Sequence, residues 1–307
     1  MDNACAVRLG NGARAVSLVD EKGWLMTAPA LVVMAPGSRD PHVAQVAQDL
    51  RAGLHRLRPS MTIRGAFLGS SLPSGTQVVA QLARQGVKEV VFVPLELCHS
   101  SQVNPQLDAT VERVREAFPA IRFVAAKPIG PETSLLTILD QRLRSALSQA
   151  HCLELDGLVL SAERAGDVRG SALLARRARQ WAAHHRLPCL TAVADATGPS
   201  VAQAISGLRS QGRRHIAVGS FFLTADEAYR AQAAMAYRCG AISVSEPIGA
   251  AREVLDLVLA RYSFAAMDLL DFGLADDAAS DDANADLADV MLTGDDAQDA
   301  PLVSVVA

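Results

Sequence analysis

The chain has 307 residues, 50% of them hydrophobic, 20% charged and 4% aromatic, with a formal net charge of −4. That composition fits a soluble globular protein of one or two domains, with a core of Val, Leu, Ile and Ala like that of helix-covered parallel sheets. No apolar run reaches the ~18 residues of a membrane span, and no basic run with an aromatic stacking platform points to nucleic acid.

The net charge hides an asymmetry. Residues 262–307 hold eleven Asp and no Lys, Arg or Glu, which leaves 29 basic against 22 acidic residues in 1–261, a body near +7. A cationic body favours anionic ligands. The five cysteines, Cys5, Cys98, Cys152, Cys189 and Cys239, form no C-x-x-C pair, which argues against a disulfide framework or a four-cysteine zinc site. The N-terminus carries charges where a signal peptide needs an apolar core, so a cytoplasmic protein is expected.

In chain order, residues 1–25 lack a clear period and read as an extension. The apolar run Leu31-Val32-Val33-Met34 then breaks into Pro36-Gly37-Ser38-Arg39-Asp40-Pro41, a buried strand delivering a polar loop. Val43, Val46, Leu50, Leu54 and Leu57 recur at spacings of three and four, one face of a helix. Ser74 is suited to cap the next helix and Gly86 to end it in a left-handed conformation. "VKEVVFVPLEL" at 87–97 follows as a buried strand.

The pattern then recurs. "LVVMAPGSRD" at 31–40 is similar to "LVLSAERAGD" at 158–167, "LPSGTQVVAQLARQGVKEVVFVPLEL" at 72–97 to "GPSVAQAISGLRSQGRRHIAVGSFFL" at 198–223, and "KPIGPE" at 127–132 to "EPIGAA" at 246–251. Two repeats, 26–150 and 151–265, are expected, followed by an acidic, disordered tail over 266–307. Alternating strands and helices demand parallel strands with right-handed crossovers. Functional loops then sit at the strands' carboxyl ends, and the cleft between the repeats is the expected binding site.

The loop "APGSRDP", the turn "FLGSSLPS", the segment "VPLELCHSSQV" and "KPIGP" resemble the sirohydrochlorin chelatase family (CbiX/SirB type) over roughly residues 28–262. The resemblance implies an α/β fold of two tandem flavodoxin-like, chelatase-like repeats facing a central cleft. It also implies insertion of Fe²⁺ or Co²⁺ into sirohydrochlorin or a related polycarboxylate tetrapyrrole. The family's three functional positions are altered in this chain. Its loop histidine, a ligand or base, is Pro36; its acidic turn residue is Gly69; and the histidine preceding the Val of its "VPL…HV" loop is Gln102. The second repeat places Glu163, Asp195 and Ala228-Tyr229 opposite them. Proline and glycine offer no side-chain lone pair, and glutamine takes no proton at neutral pH.

Two readings follow. In the first the chain binds a tetrapyrrole, or another anionic small molecule, as a non-catalytic carrier, sensor or regulatory subunit. In the second it is an active chelatase with relocated groups, His99, Glu96 and Glu163 carrying the chemistry and His99, His42 and Asp195 as candidate metal ligands. A weaker third is a structural role in which the acidic tail recruits a basic protein partner.

The bland alternatives stand beside these. His42 starts a helix and His99 caps a loop. Ser38, Arg39, Asp40, Gln102 and Lys127 are candidate ligand-binding residues, but Asp40 also suits the cap of the helix after Pro41, with Arg39 paired to it. Lys127 and Glu246 precede equivalent "PIG" turns and are expected on the cleft's floor. Cys98 beside His99 is not expected to be a nucleophile, because adjacent strand residues point to opposite faces. His184-His185 fits a solvated helix end, where positive charge suits the dipole.

Overall fold

The computed structural model describes residues 28–98 and 104–269. The extension at 1–25, most of the acidic tail, and His99 and Gln102 lie outside these residues.

In the first half, strands β1 (Ala30–Ala35), β2 (Ile63–Phe67), β3 (Glu89–Pro94) and β4 (Arg122–Ala125) alternate with helices α1 (Pro41–Leu57), α2 (Gly75–Arg84), α3 (Pro105–Ala117) and α4 (Ser134–Gln149). The second half follows the same plan. Its strands are β5 (Gly157–Ala162), β6 (Cys189–Val193), β7 (Ile216–Phe221) and β8 (Ser243–Val244), with helices α5 (Val168–His185), α6 (Val201–Ser210) and α7 (Glu227–Arg238). A last helix covers residues 252–269. The sheets have equivalent strand orders, β2-β1-β3-β4 and β6-β5-β7-β8, and every strand pair is parallel.

Local chemistry sets these boundaries as the sequence leads one to expect. Ser74 accepts from Gln77 N while the Gln77 side chain returns to the Ser74 N–H, and Ser200 and Gln203 repeat this capping box. Gly86 and Gly212 follow those helices with φ of +79° and +82°, the left-handed region that glycine enters without a Cβ clash.

Each of β1 and β5 is buried at all six positions, because both faces of each sheet are covered. In β1, Ala30, Val32 and Met34 join the core under α2 and α3, whereas Leu31, Val33 and Ala35 join a core that also contains Leu158, Leu160, Trp181 and Phe221 of the second half. The inner faces of the two sheets therefore share one hydrophobic core.

Exchange of helices makes this possible. α4 packs on β7 and β8 of the second sheet, and a Cβ on Gly219 of β7 would lie 3.2 Å from Leu139 and 2.4 Å from Trp181. The last helix returns to the first half: Tyr262 Oη donates to Pro29 O at 2.7 Å, Arg261 Nε to Pro128 O at 2.8 Å, and Leu255 leaves no room for a Cβ on Gly53 of α1. Among the described residues no helix is long and apolar enough to cross a membrane.

Candidate functional site

In each sheet the strand order reverses beside its first strand, between β1 and β3 and between β5 and β7. Loops leaving such a switch point diverge and open a crevice at the strands' carboxyl ends. Here both crevices face one another. A cavity of about 440 Å³ lies between them, lined from the first half by Pro36, Gly37, Leu68, the stretch Leu95 to Cys98, and Asn104 to Gln106. Glu163, Arg164 and Phe221 close it from the second half. Smaller cavities of about 130 and 220 Å³ adjoin it through Gly37; the latter is lined by Ser38, Arg39, Gly69, Ser70, Ser71 and Gln106.

The β1 loop is held tightly. A Cβ on Gly37 would stand 2.2 Å from Leu68 O, so glycine is needed for this close approach of the two loops. Asp40 N donates to Ser38 Oγ at 3.0 Å, and Asp40 Oδ1 accepts from His42 N at 3.0 Å to cap α1. Asp167 caps α5 in the same way, through Gly170 N at 2.8 Å.

The expected Arg39–Asp40 pair does not form. Asp40 Oδ2 instead accepts from Arg230 Nη2 of α7 at 2.6 Å, an ion pair between the halves. The sheets' face-to-face arrangement delivers Arg230 to the loop, whereas Arg39 points into the 220 Å³ cavity and makes no ion pair among the described residues. The His42 backbone N–H, the His42 ring and Arg230 hold the Asp40 carboxyl well below the usual carboxylate range.

The structure brings two of the relocated candidates together. Glu96 and Glu163 line the same cavity from opposite halves. Asn104 Nδ2 donates to Glu96 Oε1. Burial raises the Glu163 pKa, and Asp226 and Glu96 add to the rise against the opposing influence of Arg164, whose Nη2 lies 3.3 Å from Glu163 Oε1. Burial, seconded by Glu163, pushes the Cys98 thiol up to about 12, which makes it a poor nucleophile.

Other candidates lie elsewhere. His42 is exposed on the first turn of α1, its Nδ1 2.8 Å from Asp40 Oδ1, and it is absent from the cavity lining. Asp195 is exposed and accepts from Thr197 N at 3.1 Å and Thr197 Oγ1 at 2.6 Å. Lys127 and Glu246 are exposed and do not line the cavity floor, because their strands are the sheets' outer ones, away from the switch points. His185 is not solvated: its side chain is 18% exposed and lies against Asp140 of α4. Sequence reasoning passed over Arg164, Asn104, Gln106 and Arg230. Only Arg164 had a signal, its place beside Glu163.

Pro36 stands at the cavity wall, and Gly69 stands with φ +67° on the rim. Among the described residues that line the cavity there is no imidazole. Among the described residues, its ionisable oxygen and nitrogen groups are Glu96, Glu163 and Arg164.

Comparison with known proteins agrees with this architecture. Residues 30–146 match the CbiX family model. A sirohydrochlorin cobaltochelatase of Priestia megaterium is 25% identical over 117 residues, 38% of this chain and 38% of that protein's length. SirB from Bacillus subtilis with Fe³⁺ superposes with a TM-score of 0.65 at 18% identity, over 78% of this chain and 96% of that one. The sirohydrochlorin chelatase SirB from B. subtilis subspecies spizizenii, in complex with cobalt, gives 0.65 at 16% identity over 79% and 97%.

Proposed function

We propose that the chain, whose residues 30–146 match the CbiX family model, is a relative of the sirohydrochlorin chelatases that binds a polycarboxylate tetrapyrrole in the cleft between its halves and carries or senses it without inserting metal. One observation carries this reading: the residue that leaves β1 at the switch point and lines the cavity is Pro36, whose side chain has no lone pair for a divalent ion and no site for a pyrrole proton.

The remaining surface suits binding. The cavity of about 440 Å³ falls within the roughly 300–1,000 Å³ typical of small-molecule sites. Arg39 and Arg164, with the hydroxyls of Ser38, Ser70 and Ser71, offer donors along the rim. Guanidinium groups pair with carboxylates through two parallel hydrogen bonds, which fits the acidic arms of such a macrocycle.

A second reading rests on the facing pair Glu96 and Glu163. Metal insertion releases two protons, and a carboxylate whose pKa is raised is better able to accept one near neutrality. In that reading the pair replaces the lost histidines.

An absorbance titration with sirohydrochlorin, followed by anaerobic Fe²⁺ or Co²⁺ and compared with a protein-free control, separates the two. Saturable binding without faster insertion is the expected result. Insertion accelerated by the protein and lost in an E96Q/E163Q variant would replace the first reading by the second. No saturable binding would overturn both.

A further inference from the structure

A second cluster of ligating side chains lies far from the cleft. α5 starts just after the cleft loop and, with 18 residues, runs about 27 Å before ending at His184 and His185. There Asp140 of α4 meets it. One donor atom each from Asp140, His184 and His185 lies within 4.8 Å of the others.

The contact between Asp140 and His185 is a close one. Asp140 Oδ1 and His185 Nε2 stand 2.6 Å apart, on side chains that are 14% and 18% exposed. Both atoms are buried. Arg144 Nε holds the other carboxylate oxygen, Oδ2, at 2.7 Å, which fixes the carboxylate's orientation as outer partners of metal ligands do. Trp181, one turn before His185, packs edge-on against its ring at 5.6 Å.

We propose that Asp140, His184 and His185 bind a divalent first-row transition ion that ties α4 of the first half to α5 of the second. The donor set selects the ion class. Two imidazoles and one carboxylate suit Zn²⁺, Co²⁺ or Ni²⁺, whereas Ca²⁺ and Mg²⁺ take oxygen ligands. The carbonyl-rich C-terminal end of α5 adds negative potential. Ligand bonds of ~2.0–2.1 Å put tetrahedral donor atoms about 3.3 Å apart, so the Asp140–His185 edge opens by well under 1 Å on binding. His184, exposed, turns inward from the solvent side, and a water completes the fourth position. This inference is independent of what the cleft binds.

The test uses the full, metal-free chain and Co²⁺ as probe, read by visible d–d absorption, by quenching of Trp181 emission and by the shift in Tm. One equivalent is expected to bind, quench the Trp181 share of the emission, to which Trp24 also contributes, and raise Tm. H184A, a change at an exposed side chain, and D140N are each expected to weaken binding at least tenfold, with far-UV circular dichroism confirming that they fold. An E96Q/E163Q variant is expected to keep the signal. Binding unchanged in H184A and D140N, loss of the signal in E96Q/E163Q, or no saturation below about 1 mM, the range of weak adventitious association, would each overturn the proposal and leave an ordinary ion pair.

Discussion

Arg230 Nη2 lies 2.6 Å from Asp40 Oδ2 although 190 residues separate them in the chain. The pair ties the two halves together: Asp40 caps α1 of the first half, and Arg230 rises from the first turn of α7 in the second. Asp40 thus has two separable roles. D40N removes the charge and keeps a capping oxygen, whereas D40A removes both, so D40A is expected to melt lower than D40N, and R230A close to D40N. The folded-state pKa of Asp40 is depressed, so the unfolded chain binds the proton more readily. The stability it contributes is full above the unfolded value near ~4 and is lost as pH falls further, toward the folded pKa. Melting curves of wild type and D40N should therefore converge below pH ~4. A gap that stays constant down to pH 2 would refute the pairing.

Glu163 behaves in the opposite sense. Its pKa is raised by burial and by neighbouring Asp226 and Glu96, so the folded protein holds the proton to higher pH than the unfolded chain. Its favourable contribution is complete below the unfolded value near ~4.3 and disappears as pH rises through the folded pKa. E163Q is expected to melt above wild type at pH 8, with the difference closing toward pH 4. R164A, which removes the neighbouring cation, should melt below wild type at pH 8. Equal melting of E163Q and wild type at pH 8 would mean that the carboxylate is freely solvated.

Pro36 and Gly69 differ in how readily they accept a ligating side chain. Pro36→His places an imidazole on the cavity wall that Glu163 also lines, and a gain of Co²⁺ affinity of about tenfold, roughly 1.4 kcal/mol, is expected by titration. Gly69→Glu meets open space, with Gln106 no nearer than 3.7 Å, but its φ of +67° is unfavourable for any side chain. That change is expected to cost about 1–2 kcal/mol in denaturant melts. A P36H variant with unchanged metal affinity would show that an imidazole at position 36 does not reach an ion in the cleft.

Among the described cysteines, Cys98 and Cys189 are pushed up to about 12, in both cases chiefly by burial. Thiolate, not thiol, reacts with alkylating agents. Site-resolved mass spectrometry after iodoacetamide treatment at pH 8 should find both unmodified in the folded protein and modified in denaturant. Rapid native labelling of Cys98 would point instead to a reactive thiol in the cleft.

The shared inner core and exchanged helices predict that the halves unfold together. A fragment ending at residue 150 carries α4 without β7 and lacks the last helix that covers Gly53 and Pro29. It is expected to show no cooperative thermal transition by circular dichroism, whereas the full chain should show one. In the full chain Leu139→Ala, fully buried in the shared core, should cost about 2–5 kcal/mol. An independently folding fragment would refute this account.

The amino-acid sequence by itself determined the elements and their plan. Periodicity marked α1, Ser74 marked a helix start, Gly86 marked its stop, and the recurrence of "LVVMAPGSRD" as "LVLSAERAGD" foretold two like sheets. These are local properties: a cap or a left-handed turn is decided within about four residues. Likewise, the resemblance that sets Pro36 and Gly69 where the family has a histidine and an acidic residue needs no coordinates. Tertiary structure alone decided which distant groups meet. It gave Asp40 to Arg230 rather than Arg39, set Glu96 opposite Glu163, moved Lys127 and Glu246 away from the cavity, and brought Asp140 to His185 by laying α4 on the other half's sheet. Ion pairs and clefts depend on the relative placement of packed layers, and that placement is fixed by burial of apolar surface summed over a whole core, which no short stretch of sequence records.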